Sequence, residues 1–185
     1  YGEGVICLSG CVRSELSQAA NAHDEEKGIA LIKTYQDIFG KENFFIELVH
    51  RPESPTQIEV NQQLIEWSKK TDAPIVATKN VHYLNRGEND AQDALVCIHD
   101  GKIVDDTNRA SSRDVDMSLV SSDVMIEAFK DHPEAIENTR KIADRCHVEL
   151  ELGVNHLPAF DVPEGETPDS YLRKLCEKGL EEFYK

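Results

Sequence analysis

Absences narrow the roles open to this chain before any motif is considered. None of its apolar runs approaches the roughly 20 residues that span a bilayer, and no charged start followed by a short apolar stretch marks a secretory leader. A soluble, cytoplasmic protein with no membrane partner is the expectation. Basic charge is scarce: 20 Lys and Arg against 35 Asp and Glu give a formal net charge of -15. Non-specific grip on a phosphate backbone rests on Lys and Arg, so nucleic-acid binding by this chain alone is disfavoured. The acids are scattered along expected helices, as on a solvated surface, although a metal site or a basic partner is also compatible with them. The five cysteines (Cys7, Cys11, Cys97, Cys146, Cys176) are odd in number and form no C-x-x-C pair. That favours a reducing compartment with thiols packed as small apolar groups. G-x-G-x-x-G, Walker, H-E-x-x-H and G-x-S-x-G patterns are all missing, which removes the usual handles for dinucleotide, P-loop, zincin and α/β-hydrolase chemistry.

What is present is a repeated arrangement. Three times in the first 85 residues an apolar, strand-like run leads into a chemically capable side chain. Gly4 to Gly10 ends at Cys11, Asn43 to Val49 ends at His50, and Pro74 to Lys79 ends at Asn80-Val81-His82. Between them, residues near Asp24 to Phe39 place Ile29, Ile32, Tyr35 and Phe39 on one helical face, and about 56 to 70 place Val60, Leu64 and Trp67 on another. The run 44–49 is nearly all apolar, as expected of a strand covered on both sides. The order β-α-β-α-β favours a parallel sheet. Loops at the carboxyl ends of such strands are where catalytic and metal-binding groups gather, so Cys11, His50 and His82 are expected on one rim.

Beyond His82 the pattern is helical. Glu88 to His99 reads as a helix with Ala91, Leu95 and Ile98 inward, closed by Asp100-Gly101. Residues 102–118 read as a polar surface excursion. A helix capped by Ser121 or Ser122 reaches Phe129, and Pro133 opens another to about Cys146, with Ile136, Ile142 and Ala143 inward. Leu157 to Gly165 has linker character, and Thr167-Pro168 opens a last helix. At 185 residues, with 39% hydrophobic and 30% charged content, the chain is globular and holds one domain, or one plus a piece of another. Its abrupt start at Tyr1, without Met and just before a core-like strand, suggests a fragment of a longer protein.

Each candidate group has two readings. Asn80 and His82 share a side of an extended segment; they are either a weak ligand pair, since Asn offers a neutral oxygen where a carboxylate would bind better, or ordinary loop residues with His82 hydrogen-bonded. Cys11 is either a thiolate ligand, if a nearby cation lowers its pKa, or simply packed. His50, with Glu47 before it and Arg51 after it, is a weaker rim candidate. Cys97 and His99 diverge around a helix and are unsuited to one ion, while Cys146 and His147 look structural. No catalytic residue is assigned.

Several segments are nonetheless familiar together. Val5 to Cys11, Pro74 to Leu84, Cys97-Ile98-His99-Asp100-Gly101-Lys102 with Asp105-Asp106, and Pro133 to Cys146 resemble the alpha-subunit family of bacterial DNA polymerase III. So do Leu157-Pro158, Pro163 to Thr167, Ser170-Tyr171-Leu172 and Gly179-Leu180. The likeness is collinear over essentially the whole chain. It implies the later half of a PHP (polymerase and histidinol phosphatase) domain, a distorted, TIM-like β/α barrel with a metal rim, followed by helices. The implied division is PHP segment over 1–120, helices closing that domain over 121–155, and linker with the first helix of the polymerase core over 156–185.

The resemblance also implies a ligand set. Cys11 falls on the family's cysteine ligand, and Asn80 and His82 fall on its D-x-H motif, with Asn80 where the family has an acid. A divalent metal (Zn, Mn or Mg) is implied at this partial site, and Mg for the parent polymerase. The implied partners are the rest of the alpha chain and a proofreading exonuclease subunit, with DNA and dNTPs reached only through the parent. Polymerase aspartates lie outside this stretch, so a scaffold and docking role is expected here. The alternative is a metal-dependent 3′-5′ exonuclease working in the intact protein.

Overall fold

The computed structural model describes residues 2–109, 111, 113, 115–155 and 157–184. Tyr1, positions 110, 112 and 114 of the expected excursion, His156 at the expected start of the last segment, and Lys185 lie outside the described residues. Two compact units are present, Tyr1–His147 and Val148–Lys185.

The first unit is built around β2, Phe44–Val49. It is the middle strand of three, and both neighbours run parallel to it. β1 (Cys7–Leu8) pairs with Phe44 and Phe45, while β3 (Ile75–Thr78) pairs with Ile46 to Val49. Parallel neighbours need crossovers long enough to return the chain. α1 (Glu15–Asn21) and α2 (Glu25–Phe39) supply the first, and α3 (Pro55–Thr71) the second. Each begins at the side chain its sequence offers: Ser14, Asp24 and Ser54 accept from backbone N–H groups three residues on. Leu16, Ile32, Val60, Leu64 and Trp67 close over Phe44, Ile46 and Leu48 to form the core.

The expected stripes of α2 and α3 are largely as read, with Ile32, Val60, Leu64 and Trp67 fully buried. The structure departs from the expectations in several places. β1 is two residues long, shorter than the apolar run from Gly4 to Gly10. The expectations include no helix over 15–21, yet Leu16, Ala19 and Ala20 of α1 are core residues. On α4 (Asn89–Asp100), which follows a 3-10 turn at Arg86–Glu88, the inward face is Asp93 and Cys97, and Ala91, Leu95 and Ile98 are exposed. Apolar spacing selected the wrong face there because a buried ion pair, not an apolar contact, fixes the helix.

α5 (Ser122–Ala128) and α6 (Pro133–Arg145) belong to the same unit. Ser121, of the two serines considered, is the cap. α6 lies along β3, where the buried Asn138 amide donates to the Ile75 carbonyl at 2.8 Å, with Ala135 in the core. Its inward face is therefore Ala135 and Asn138 with Ile136 and Ile142 partly covered, and Ala143 is exposed. α6 thus satisfies an edge carbonyl that an uncovered strand would leave to solvent. The second unit carries α7 (Pro168–Phe183), capped reciprocally by Thr167 and Ser170, with Phe160 stacked on Tyr171. Among the described residues, no helix is long and apolar enough to cross a membrane.

Gly28 of α2 lies against the Trp67 ring of α3. A Cβ there would sit 2.2 Å from the Trp67 ring. Alanine favours the helix by about 1 kcal/mol, but overpacking a filled core costs about 1–3 kcal/mol. We expect Gly28→Ala to lower the urea midpoint with an unchanged m-value; an unchanged or raised midpoint would show that Trp67 can move aside.

Candidate functional site

Because β1, β2 and β3 are parallel, their carboxyl ends share one edge of the sheet. Ser9-Gly10-Cys11 leaves β1, His50 leaves β2, and Lys79-Asn80 leaves β3. Cross-strand bonds hold these exits in register. The Glu47 N–H donates to Ser9 Oγ at 2.9 Å, the Thr78 hydroxyl to the Glu47 carboxylate at 2.7 Å, and the His50 N–H to the Thr78 carbonyl at 2.7 Å.

The candidate ligands sit on the segments that leave that edge. Cys11 is half-buried, and Asn80 and His82 are exposed. Asn80 has φ of 57°, in the left-handed region that Asn tolerates better than most residues. The chain therefore turns at this position, and the alternation expected of an extended segment does not apply. Instead His82 Nδ1 lies 2.8 Å from the Asn80 backbone carbonyl, and the His82 N–H donates to the Met117 carbonyl at 2.9 Å. Among the described residues, no three His, Cys, Asp or Glu side chains gather as a metal site would require. One thiol, one neutral amide and one imidazole supply no carboxylate to offset a divalent charge. By themselves these residues do not fit a catalytic ion.

A cleft of about 480 Å³ opens beside them at the ends of β2 and β3. His50, Lys79, Tyr83, Arg86, Arg113 and Asp116 line it; Cys11, Asn80 and His82 do not. Lys79 is only 7% exposed, and its ammonium donates to the Asp116 carbonyl at 2.6 Å. The His50 ring meets Phe129 edge-on. Its pKa is lowered first by burial and then by the Lys79 ammonium, with Glu53 opposing, so the imidazole is neutral near pH 7. The Asp116 carboxyl is held below its ordinary range, chiefly by hydrogen bonds from Ser118 and further by Lys79 and Arg86.

The far wall of the cleft is anchored from behind by Asp93. This carboxylate is wholly buried on α4 and accepts from Arg109 Nη1 and Nη2 at 2.8 and 2.6 Å and from the Ser111 hydroxyl at 2.9 Å. Arg113 Nε lies 3.1 Å from it. The Arg109 hydrogen bonds, larger than the opposing desolvation, hold its pKa well below the usual carboxylate range. The described residues of 102–118 are irregular, as expected, but they are not merely a surface excursion. The missed signal was a helical Asp followed by Arg109 and Arg113, spaced four apart in a polar stretch.

A PHP domain model matches residues 1–51. DNA polymerase III subunit alpha of Pseudomonas aeruginosa is 36% identical over 180 residues, 97% of this chain. That of Borreliella burgdorferi is 34% identical over 187 aligned residues, 100% of this chain. The chain belongs to the DNA polymerase III alpha-subunit family. It spans 15% of the first of these alpha subunits and 16% of the second. The alpha-subunit likeness therefore reaches well past the matched PHP stretch, across the cleft and its anchored wall and into α7.

Asp93 gives a direct test of the wall. Asp93→Asn keeps the shape but removes the buried charge that accepts from both Arg109 Nη groups. We expect limited proteolysis within 102–118 to accelerate about tenfold or more while α2 and α3 stay protected. A depressed carboxyl pKa means its stabilisation is fully present above the unfolded value near 4 and is lost progressively as pH falls below it, through the much lower folded value. The wild-type wall should therefore loosen in acid, and the variant should be insensitive to the same change. An equally protected segment in the variant would show that the pair does not hold the wall.

Proposed function

We propose that this chain serves as a structural and partner-docking segment of a replicative DNA polymerase alpha chain, without supplying nucleotidyl-transfer residues. The observation that carries the reading is the whole-chain match to alpha subunits of which it spans only 15–16%. In this reading 1–120 is the later part of a PHP domain, 121–155 closes it, and 156–185 leads into the polymerase core. The three-stranded parallel sheet is then one sector of a TIM-like barrel whose other strands come from the parent chain. The partners are the rest of that chain and a proofreading exonuclease subunit. DNA and dNTPs are handled by the parent, a DNA-directed DNA polymerase using Mg.

A second reading has one observation in its favour. The Asn80 carbonyl at His82 Nδ1 is the kind of backbone partner that orients a metal-bound imidazole, leaving Nε2 to face an ion. Cys11, Asn80 and His82 would then belong to a divalent-metal rim (Zn, Mn or Mg) completed by His, Asp and Glu residues elsewhere in the parent, supporting a 3′-5′ exonuclease there. Under the scaffold reading, the 185-residue chain should release no nucleotide from labelled single-stranded DNA in Mg, Mn or Zn. Metal-dependent 3′-5′ degradation that disappears in His82→Ala would overturn it. Under the second reading, Asn80→Asp should tighten metal binding about tenfold by calorimetry, because an added ligand charge raises affinity. Unchanged affinity would remove position 80 from the ligand set.

A further inference from the structure

α4 carries an apolar stripe on the side that faces water. Ala91, Leu95 and Ile98 stand at i, i+4 and i+7 and so share one helical face. Leu95 is 60% and Ile98 76% exposed, and Leu84 just before the helix and Ile103 just after it are exposed too. The helix cannot roll to hide them. Asp93, on the inward face, accepts from both Arg109 Nη groups and from the Ser111 hydroxyl, and turning it outward would break a buried ion pair. The C-terminal end is closed as well, with the Gly101 N–H on the Ile98 carbonyl and the Lys102 N–H on the Cys97 carbonyl.

Charge around the stripe decides what can cover it. Glu88 and Asp90 stand at its start and Asp100, Asp105 and Asp106 at its end, against Arg86 and Lys102. Asp90 pairs with Arg113 and Asp106 with Lys102, but among the described residues no cation pairs with Asp100 or Asp105. Because acids stand at both ends, a second copy in either orientation would set acid against acid. An anionic lipid surface or a nucleic-acid backbone would be repelled in the same way. A helix whose apolar stripe is flanked by Lys and Arg satisfies both the aliphatic side chains and the acidic rim. Complementary charge speeds the encounter of a free partner, whereas a segment of the same polypeptide arrives without such steering. The face therefore suits a separate protein.

We propose that the outward face of α4, Leu95 and Ile98 with Leu84 and Ile103 at its ends, docks a basic-flanked amphipathic helix of a separate protein. The inference rests on the partner-docking reading and gives it a surface. The two fail separately: absence of helix binding would remove this surface but leave the family and the lack of nuclease activity untouched, and nuclease activity would end the scaffold reading without altering helix binding.

The test uses the 185-residue chain and two synthetic peptides of about 18 residues, roughly five helical turns, with the same Leu stripe and either Lys or Glu on its flanks. Amide chemical shifts follow each titration. The Lys-flanked peptide is expected to give saturable shifts within residues 84–106 with a Kd on the order of 10 µM, and its Glu-flanked twin to bind about tenfold more weakly. Added salt should narrow that difference. Leu95→Gln combined with Ile98→Gln, both at exposed positions, should weaken Lys-flanked binding about tenfold or more while the urea midpoint stays unchanged. Equal affinity for the two peptides, no saturable shift, shifts centred outside 84–106, or unchanged affinity in the double variant would each overturn the proposal. So would self-association of the chain that the double variant abolishes, which would assign the face to a second copy.

Discussion

Phe44 to Val49 has no solvent-facing side: five of its six residues are buried and Glu47 is half-covered. A strand in that position must have hydrogen-bonded neighbours on both edges and apolar cover on both faces. Each of Phe44, Ile46 and Leu48 contributes about 2 kcal/mol by leaving water, but only if the covering helices arrive. The chain meets this with parallel partners, which force the α1–α2 and α3 crossovers. The same parallelism puts every strand exit on one edge. Burial of a single strand thus accounts for the rim as well as for the core.

The rim is not built by the sheet alone. Its far wall is an irregular stretch with little apolar content to bury, and such a segment stays ordered only if specific polar contacts offset its lost entropy. Asp93 provides them, collecting Arg109, Ser111 and Arg113 at one buried point. The Tyr83 hydroxyl adds a second tie, donating to the Val115 carbonyl at 3.1 Å and accepting from the Met117 N–H at 2.9 Å. A buried ion pair is weak evidence for net stability. Its value here is placement: it sets which turn of α4 faces inward and where Arg113 and Asp116 stand.

What could be read from the sequence follows from which force dominates each element. Where apolar burial dominates, as in β2, β3 and the Val60–Leu64–Trp67 stripe, periodicity located the element and its inward face. α1 was lost because its core contacts are mostly small, Ala19 and Ala20 beside Leu16. α4 was assigned the wrong face because hydropathy counts Asp93 as a surface residue. The rim positions of Cys11 and His50 were legible, since topology alone delivers them to the strand ends. The cleft was not, because Arg86, Arg113 and Asp116 are brought to His50 and Lys79 by polar contacts that no spacing rule encodes.

The two adjacent residues at the end of β3 then take separate parts. Asn80 turns out of the strand in a left-handed conformation and carries His82 with it toward solvent, away from the cleft. Lys79 turns the opposite way, into the cleft, and is held there by the Asp116 carbonyl. A buried ammonium on this edge raises the electrostatic cost of placing a divalent ion nearby, and the neutral amide of Asn80 does nothing to offset it. The same ammonium lowers the cost of placing an anion there. Positive charge on this part of the edge is therefore supplied by a side chain of the protein itself, held in place by a backbone carbonyl.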